Sequence, residues 1–260
     1  MTTAEERREQ EQAAAYALRP IHIGDGVVRR PAGAWTPTVH AFLAHLRTEG
    51  LHAVPEPLGI EDGVETLGYL DGHSGGDGWF HQHDDHGLQS AARLLRRIHD
   101  ASVGWRPAAD AVWGAAPADG PDLVLCHGDP GPWNFVWRDH EAVGLLDWDF
   151  LHPGPRTSDV AYALRWFAPC RDDDLALEWH HFPTVPDRRA RIRAFLDAYG
   201  PLPAFDVVEA VIAGAEETMT REAELAAQGR EPQRTWVAEG SLDRQRAEVR
   251  WIRQHGAELR

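Results

Sequence analysis

The chain has 260 residues, a formal net charge of −15 and 43% hydrophobic residues, and all 26 of its Lys or Arg positions are arginine. That length holds one domain, or two lobes sharing a cleft, with a real core; the acidic balance argues against a nucleic-acid or anionic-membrane partner and suits a cationic small molecule. Two cysteines, Cys126 and Cys170, form no disulfide framework and no paired metal spacing, the N-terminal MTTAEERREQEQ lacks the apolar stretch of a signal peptide, and no run reaches the length of a membrane span, so a reducing cytoplasm is the expected location.

In chain order, residues 4–17 are expected to form a short polar helix. Residues 21–23 and 27–30 read as two strands around the tight turn Gly24-Asp25-Gly26. Thr36 offers a helix N-cap with Pro37 at the first helical position. Val39, Phe42, Leu43 and Leu46 then follow at helical spacing, with Gly50 as the stop. Residues 58–60 and 64–70 make a second hairpin. Residues 71–87, rich in Gly, His and Asp, read as a linker. Leu88, Ala91, Ala92, Leu95 and Ile98 mark an amphipathic helix. Short apolar strands at 123–126, 135–137 and 143–146 are followed by helices starting near Ser158 and covering about 187–199, 205–228 and 241–258. The pattern is α+β: a small antiparallel lobe with one helix over residues 1–70, then a larger, mainly helical lobe over residues 71–260.

The chemistry concentrates in residues 123–150, LVLCHGDPGPWNFVWRDHEAVGLLDWDF. An Asp in a turn after an apolar strand, an Asn five residues on, and an Asp-Trp-Asp after a second apolar run form the layout of a phosphoryl-transfer site, which needs an oriented hydroxyl and neutralised phosphate charge. Asp129 is the candidate for accepting the acceptor's proton. Asn134 and Asp147 are hard oxygen donors suited to Mg²⁺. Asp149, two residues past Asp147, would share its face if the strand continues, as ligand or support. His127 reads as a brace of this loop rather than as its base.

CHGDPGPWN followed by GLLDWDF and HPGPRTSDVAYAL, with LLRRIHD ahead of them, resembles the aminoglycoside phosphotransferase family. The similarity is dense over residues 88–167, and VVRRPAGAWTPTVHAFLAHL resembles a subgroup with an altered N-terminal lobe. The resemblance implies a two-lobed protein-kinase-like fold, ATP or GTP as phosphate donor with Mg²⁺, and a hydroxyl-bearing acceptor, polar or cationic, of the aminoglycoside or other antibiotic type. It also implies a structural role for Asp159 at a helix start, and a nucleotide base resting near Tyr69 and Leu70. Members of the subgroup have been called phosphotransferases or immunity proteins against a peptide antibiotic.

The departures from the family pattern lie in the small lobe. Kinase-like folds place a lysine on the third strand, paired to a helix glutamate. Here that strand ends in Arg29 and Arg30, and the facing helix has no acid before Glu49. Arginine clamps phosphate oxygens through a planar fork of different shape. Strand alternation lets one of the two arginines face the cleft, and Arg29 is the preferred one. No glycine-rich phosphate loop precedes Ile21. The competing reading is therefore a kinase-fold binding or immunity protein that sequesters an antibiotic, peptide or pathway ligand. Two weaker constellations are a transition-metal set from His81, His83, Asp84, Asp85 and His86, and an acidic acceptor pocket from Asp172, Asp173, Asp174 and Glu178, whose alternative is the solvated start of a helix.

Overall fold

Four antiparallel strands carry the first third of the molecule, in the order β1-β2-β4-β3. They are β1 (His22–Gly24), β2 (Val27–Pro31), β3 (Pro57–Glu61) and β4 (Val64–Gly68). This computed structural model describes residues 20–260; the helix expected at 4–17, and the stretch in which a glycine loop was sought, lie outside the described residues. Between β1 and β2, Asp25 and Gly26 take φ of 53° and 74°, the double left-handed turn whose twist suits a two-residue hairpin. Helix α1 (Thr36–Thr48) crosses between the hairpins and buries Val39, Phe42, Leu43 and Leu46. It starts one residue earlier than the proline pattern suggests. Trp35 occupies the N-cap, and Thr36 accepts the Gly33 N–H at 2.9 Å.

The stretch 71–87 is more ordered than its composition suggests. It holds a short helix α2 (Gly78–His81), and Asp84 caps helix α3 (Asp85–Ser102) by accepting the Gly87 N–H at 2.7 Å. Three short strands, β5 (Val124–Cys126), β6 (Phe135–Arg138) and β7 (Glu141–Leu145), follow where the apolar runs fall. A fourth, β8 (His152–Gly154), pairs antiparallel with β5; its sequence, His-Pro-Gly, has no strand character, and it is held by that pairing and by the Ala118 N–H on the Pro153 carbonyl at 2.8 Å.

Helices α4 (Arg156–Phe167), α5 (Asp173–Glu178), α6 (Arg188–Tyr199), α7 (Val207–Ala227), α8 (Gln233–Ala238) and α9 (Ser241–Leu259) complete the chain. Asp172, Asp187 and Asp206 cap α5, α6 and α7 through their side chains, as expected of Asp before a helix. One apolar cluster runs from Phe42 and Leu46 through Leu88, Leu95, Trp137 and Trp148 to Phe167, Phe195 and Ile252. The sheet and the helical part thus share a core, and the motif strands lie along its edge. Among the described residues, no helix is long and apolar enough to cross a membrane.

Candidate active site

Strand β5 delivers His127, Gly128 and Asp129 to the centre of the molecule. Gly128 has φ of 83°, and a Cβ there would stand 2.6 Å from the Phe150 carbonyl, so both backbone and space demand glycine. Asp159, in the first turn of α4, fixes the turn from below. It accepts the His127 N–H at 2.6 Å and the Gly128 N–H at 2.9 Å, and its Oδ2 lies 3.0 Å from His99 Nε2. Burial pushes the Asp159 carboxyl up, but His99, His127 and the Gly128 N–H outweigh it and hold the group below its ordinary value. His127 is fully engaged: Nε2 lies 2.7 Å from the Leu146 carbonyl, and Nδ1 accepts the Asp129 N–H at 3.2 Å. These bonds select the tautomer protonated at Nε2. The ring is placed as a brace between the two motif strands and has no nitrogen left for a substrate proton.

Asp129 is cradled by two donors. Tyr162 OH donates a short hydrogen bond to Oδ1, and Asn134 Nδ2 donates to Oδ2 at 3.0 Å and to the Asp129 carbonyl at 2.8 Å. Burial raises the Asp129 pKa, against the opposing pull of Tyr162, His127 and Arg221. Arg221, from α7, donates to the Gly128 carbonyl at 3.2 Å and lies over the Phe150 ring at 4.2 Å.

Asp147 and Asp149 lie beyond the end of β7, so strand alternation does not set their faces. Asp147 takes a left-handed φ of 59°, and the turn it makes brings both carboxylates onto one cation. Arg30 Nη1 donates to Asp147 at 2.6 Å and Nη2 to Asp149 at 2.7 Å, while Nε donates to Glu65 at 2.6 Å. Trp35 Nε1 adds a bond to Asp149 at 3.2 Å, and His40 from α1 meets the other Glu65 oxygen at 2.9 Å. Burial opposes the charge on Arg30, but Asp147, Asp149 and Glu65 more than offset it and hold the guanidinium firmly protonated. Two carboxylates already sharing one cation are a donor set that fits a hard divalent ion, and the Asn134 amide, which gives its N–H groups to Asp129, would offer its oxygen.

Residues 101–205 match the model of the phosphotransferase enzyme family. The trifolitoxin immunity protein of Rhizobium leguminosarum bv. trifolii is 34% identical over 183 residues, covering 67% of this chain and 68% of that protein. The chain belongs to the aminoglycoside phosphotransferase family. Among solved structures, an amicoumacin kinase superposes with a TM-score of 0.59 at 12% identity, covering 96% of this chain and 92% of the kinase. A choline/ethanolamine kinase family protein from Mesorhizobium loti gives 0.57 at 14% identity, covering 97% and 98%. At such identities the likeness is one of fold, and that fold is kinase-like.

Within this phosphotransferase-family frame, the small sheet departs from the expected arrangement in two respects. Arg30 turns to the acids and Arg29 stands exposed, the reverse of the expected preference. Arg30 lies opposite Glu65 across β2 and β4, and Val28 lies opposite Leu67. Arg30 therefore shares the face of buried Leu67, and Arg29 takes the other. The acid sought on the helix comes instead from the neighbouring strand, as Glu65. Tyr69 is exposed, with its N–H bonded to the Gly26 carbonyl at 2.9 Å, and Leu70 packs by Gly144.

The histidine-rich stretch is not assembled as a metal set. His83 reaches the His180 carbonyl, Asp84 caps α3, and His81 stacks on Trp137. The acidic run begins a helix: Asp172 caps α5 and Asp173 pairs with Arg188 at 2.9 Å. Among the described residues, the set close enough for a metal is His99, Cys126 and Asp159. Its His and Asp atoms are already bonded to Tyr199, to one another and to the loop backbone.

Sequence reading missed Glu65, His40, Trp35, Tyr162 and Arg221. Two had a signal. Glu65 alternates with Leu67 on the apolar face of a strand, where an acid needs a partner. Tyr162 stands three residues after Asp159, one turn along the helix face that meets the loop.

Proposed function

We propose that this protein is an O-phosphotransferase, moving the terminal phosphoryl group of ATP or GTP to a hydroxyl of a small polar acceptor. The observation that supports the reading is the link between two parts, Asp129, held by Tyr162 and Asn134, and the acid pair Asp147 and Asp149: Leu146 donates its N–H to the Asn134 carbonyl at 2.7 Å, and its own carbonyl lies 2.7 Å from His127 Nε2. Asp147 and Asp149, with the Asn134 oxygen, would hold Mg²⁺, which supplies neutralisation of phosphate charge. Asp129 Oδ2 accepts the acceptor's hydroxyl proton as the acceptor oxygen forms its bond to phosphorus. The bond from phosphorus to the bridging oxygen breaks, and the nucleoside diphosphate leaves. Arg30 serves as a phosphate clamp in place of the absent lysine, and Tyr69 and Leu70 border the nucleotide base.

Purified protein with Mg²⁺, ATP or GTP and an acceptor panel should yield phosphorylated product by ³¹P NMR. Asp129→Asn should lower turnover by about 10²- to 10⁴-fold without shifting the thermal transition downward. Undiminished turnover in that variant would remove Asp129 from the mechanism.

A second reading, a binding or immunity protein of the same fold, is favoured by Arg30 holding the acid pair and by the name of the 34% identical relative. Calorimetric titration separates the two. Magnesium-dependent nucleotide binding supports transfer, and its absence supports sequestration.

A further inference from the structure

One turn beyond Tyr162 the surroundings of Asp129 become aromatic. Trp133, from the loop between Asp129 and Asn134, meets Trp166 of α4 edge to face with centroids 4.9 Å apart. Trp79 of α2 stands 5.1 Å from Trp133 and 6.0 Å from Trp166, and Tyr162 lies 6.3 Å from Trp166. All three tryptophans are half-buried, so they form a wall that solvent still reaches. Behind it, His180 is fully buried, with its ring 4.7 Å from Trp79. The Trp166 backbone is a hydrogen-bond partner of the His180 ring, and among the described residues Trp166 Nε1 has none. Buried polar atoms normally do find partners, so Trp166 Nε1, on the wall itself, is a donor that a ligand can satisfy. Burial and then Arg171 keep His180 neutral, so it adds no charge behind the wall.

The charge beside the wall is positive. Arg165 and Arg171 both bond to Glu248, at 2.7 and 2.9 Å, so one carboxylate serves two buried guanidinium groups. Their Cζ atoms lie 4.8 and 4.2 Å from the Trp166 ring, and Arg165 Nη1 and Arg171 Nε have no partner among the described residues. A cationic ligand would meet this excess charge and find a ring face already taken by cations. An anionic substituent would be drawn to it.

We infer that the site takes a planar aromatic or heteroaromatic hydroxyl compound bearing an anionic group. Its ring lies on Trp79, Trp133 and Trp166, and its hydroxyl points toward Asp129. The inference rests on the phosphotransferase reading in taking this compound as the acceptor, and on the wall and its charge for the ligand class. The net acidity of the whole chain, which suited a cationic partner, is offset at the wall by Arg165 and Arg171 over the Trp166 ring.

Binding without turnover tests it. Three probes are titrated by ligand-observed NMR and calorimetry: 4-hydroxyphenylacetate, its amine counterpart tyramine, and the saturated trans-4-hydroxycyclohexylacetate. The first should bind about tenfold tighter than either of the others, and Trp133→Leu and Trp79→Leu should each abolish that preference. Both variants should keep the wild-type thermal transition and the same response to Mg²⁺ and ATP, which separates a lost wall from a lost fold. Equal binding of the aromatic and saturated acids, tighter binding of tyramine, or no binding of any probe would overturn the ligand class. The selective pattern together with no nucleotide binding would keep the ligand class and sink the phosphotransferase reading. Nucleotide binding with no discrimination among probes would do the reverse.

Discussion

Arg30 offers the sharpest test of how the two halves of the site are held together. In Arg30→Met, Asp147 and Asp149 lose a shared cation, and Glu65, 1% exposed, keeps His40 as its remaining contact. Removing one partner of a buried ion pair costs about 3–5 kcal/mol, because the other charge stays behind. For a chain of this size each kcal/mol is worth about 2 °C in Tm, so calorimetry should record a fall of about 6–10 °C. Magnesium should act in the opposite sense. In the native protein an ion approaching Asp147 and Asp149 meets a guanidinium bonded to both, and unit charges a few ångströms apart near a protein surface interact by about 4 kcal/mol. The variant should therefore bind Mg²⁺ at least about tenfold more tightly, and added Mg²⁺ should recover part of the lost Tm. Arg30→Lys should fall between the two, since one ammonium cannot bridge the carboxylates as a fork does. A Tm unchanged in Arg30→Met, with the same response to Mg²⁺, would refute the argument that this cation joins sheet and loop and competes for the metal position.

Tyr162→Phe removes a donor that favours the charged form of Asp129. The already raised Asp129 pKa should rise further, moving the acid limb of the kcat/KM profile to higher pH and costing about tenfold in rate at its foot; an unmoved limb would show that Asp129 is not the titrating base. Asp159 has a folded pKa below its ordinary value, so its stabilisation is complete above about pH 3.9 and is lost as the pH falls through the folded value. Asp159→Asn should cost about 3 kcal/mol or more near neutral pH and flatten the acid limb of the urea stability profile. A stability difference that persists at pH 2 would point to packing instead of charge.

The elements most legible in the sequence were those whose pattern and packing agree. The α3 helix, with Leu88, Ala91, Leu95 and Ile98 on one face, and the motif strands around His127 and Asn134 needed nothing beyond local periodicity. The strand Val27-Val28-Arg29-Arg30 did not yield its inward arginine, because each face carries one valine and one arginine and alternation cannot choose between them. The choice comes from pairing with Glu65 and Leu67, 35 and 39 residues later in the chain. Asp147 and Asp149 share a face only if the strand continues, whereas the left-handed Asp147 makes a turn that local propensity does not announce. The aromatic wall was dispersed over Trp79, Trp133 and Trp166, none of which has a meaning of its own until the chain folds.

The tight turn at Asp25 and Gly26 reaches less far than its position suggests. Its two left-handed residues set the register of β1 on β2. Strand β2 itself is held over five pairs by β4, with Arg30 opposite Glu65, whereas all three residues of β1 are exposed. One added residue in the turn would therefore slip β1 and turn its side chains over, leaving Arg30 on Asp147. The cation of the cleft is thus insulated from this surface loop, and insertions there would redraw the edge of the sheet while the chemistry of the cleft stays as it is.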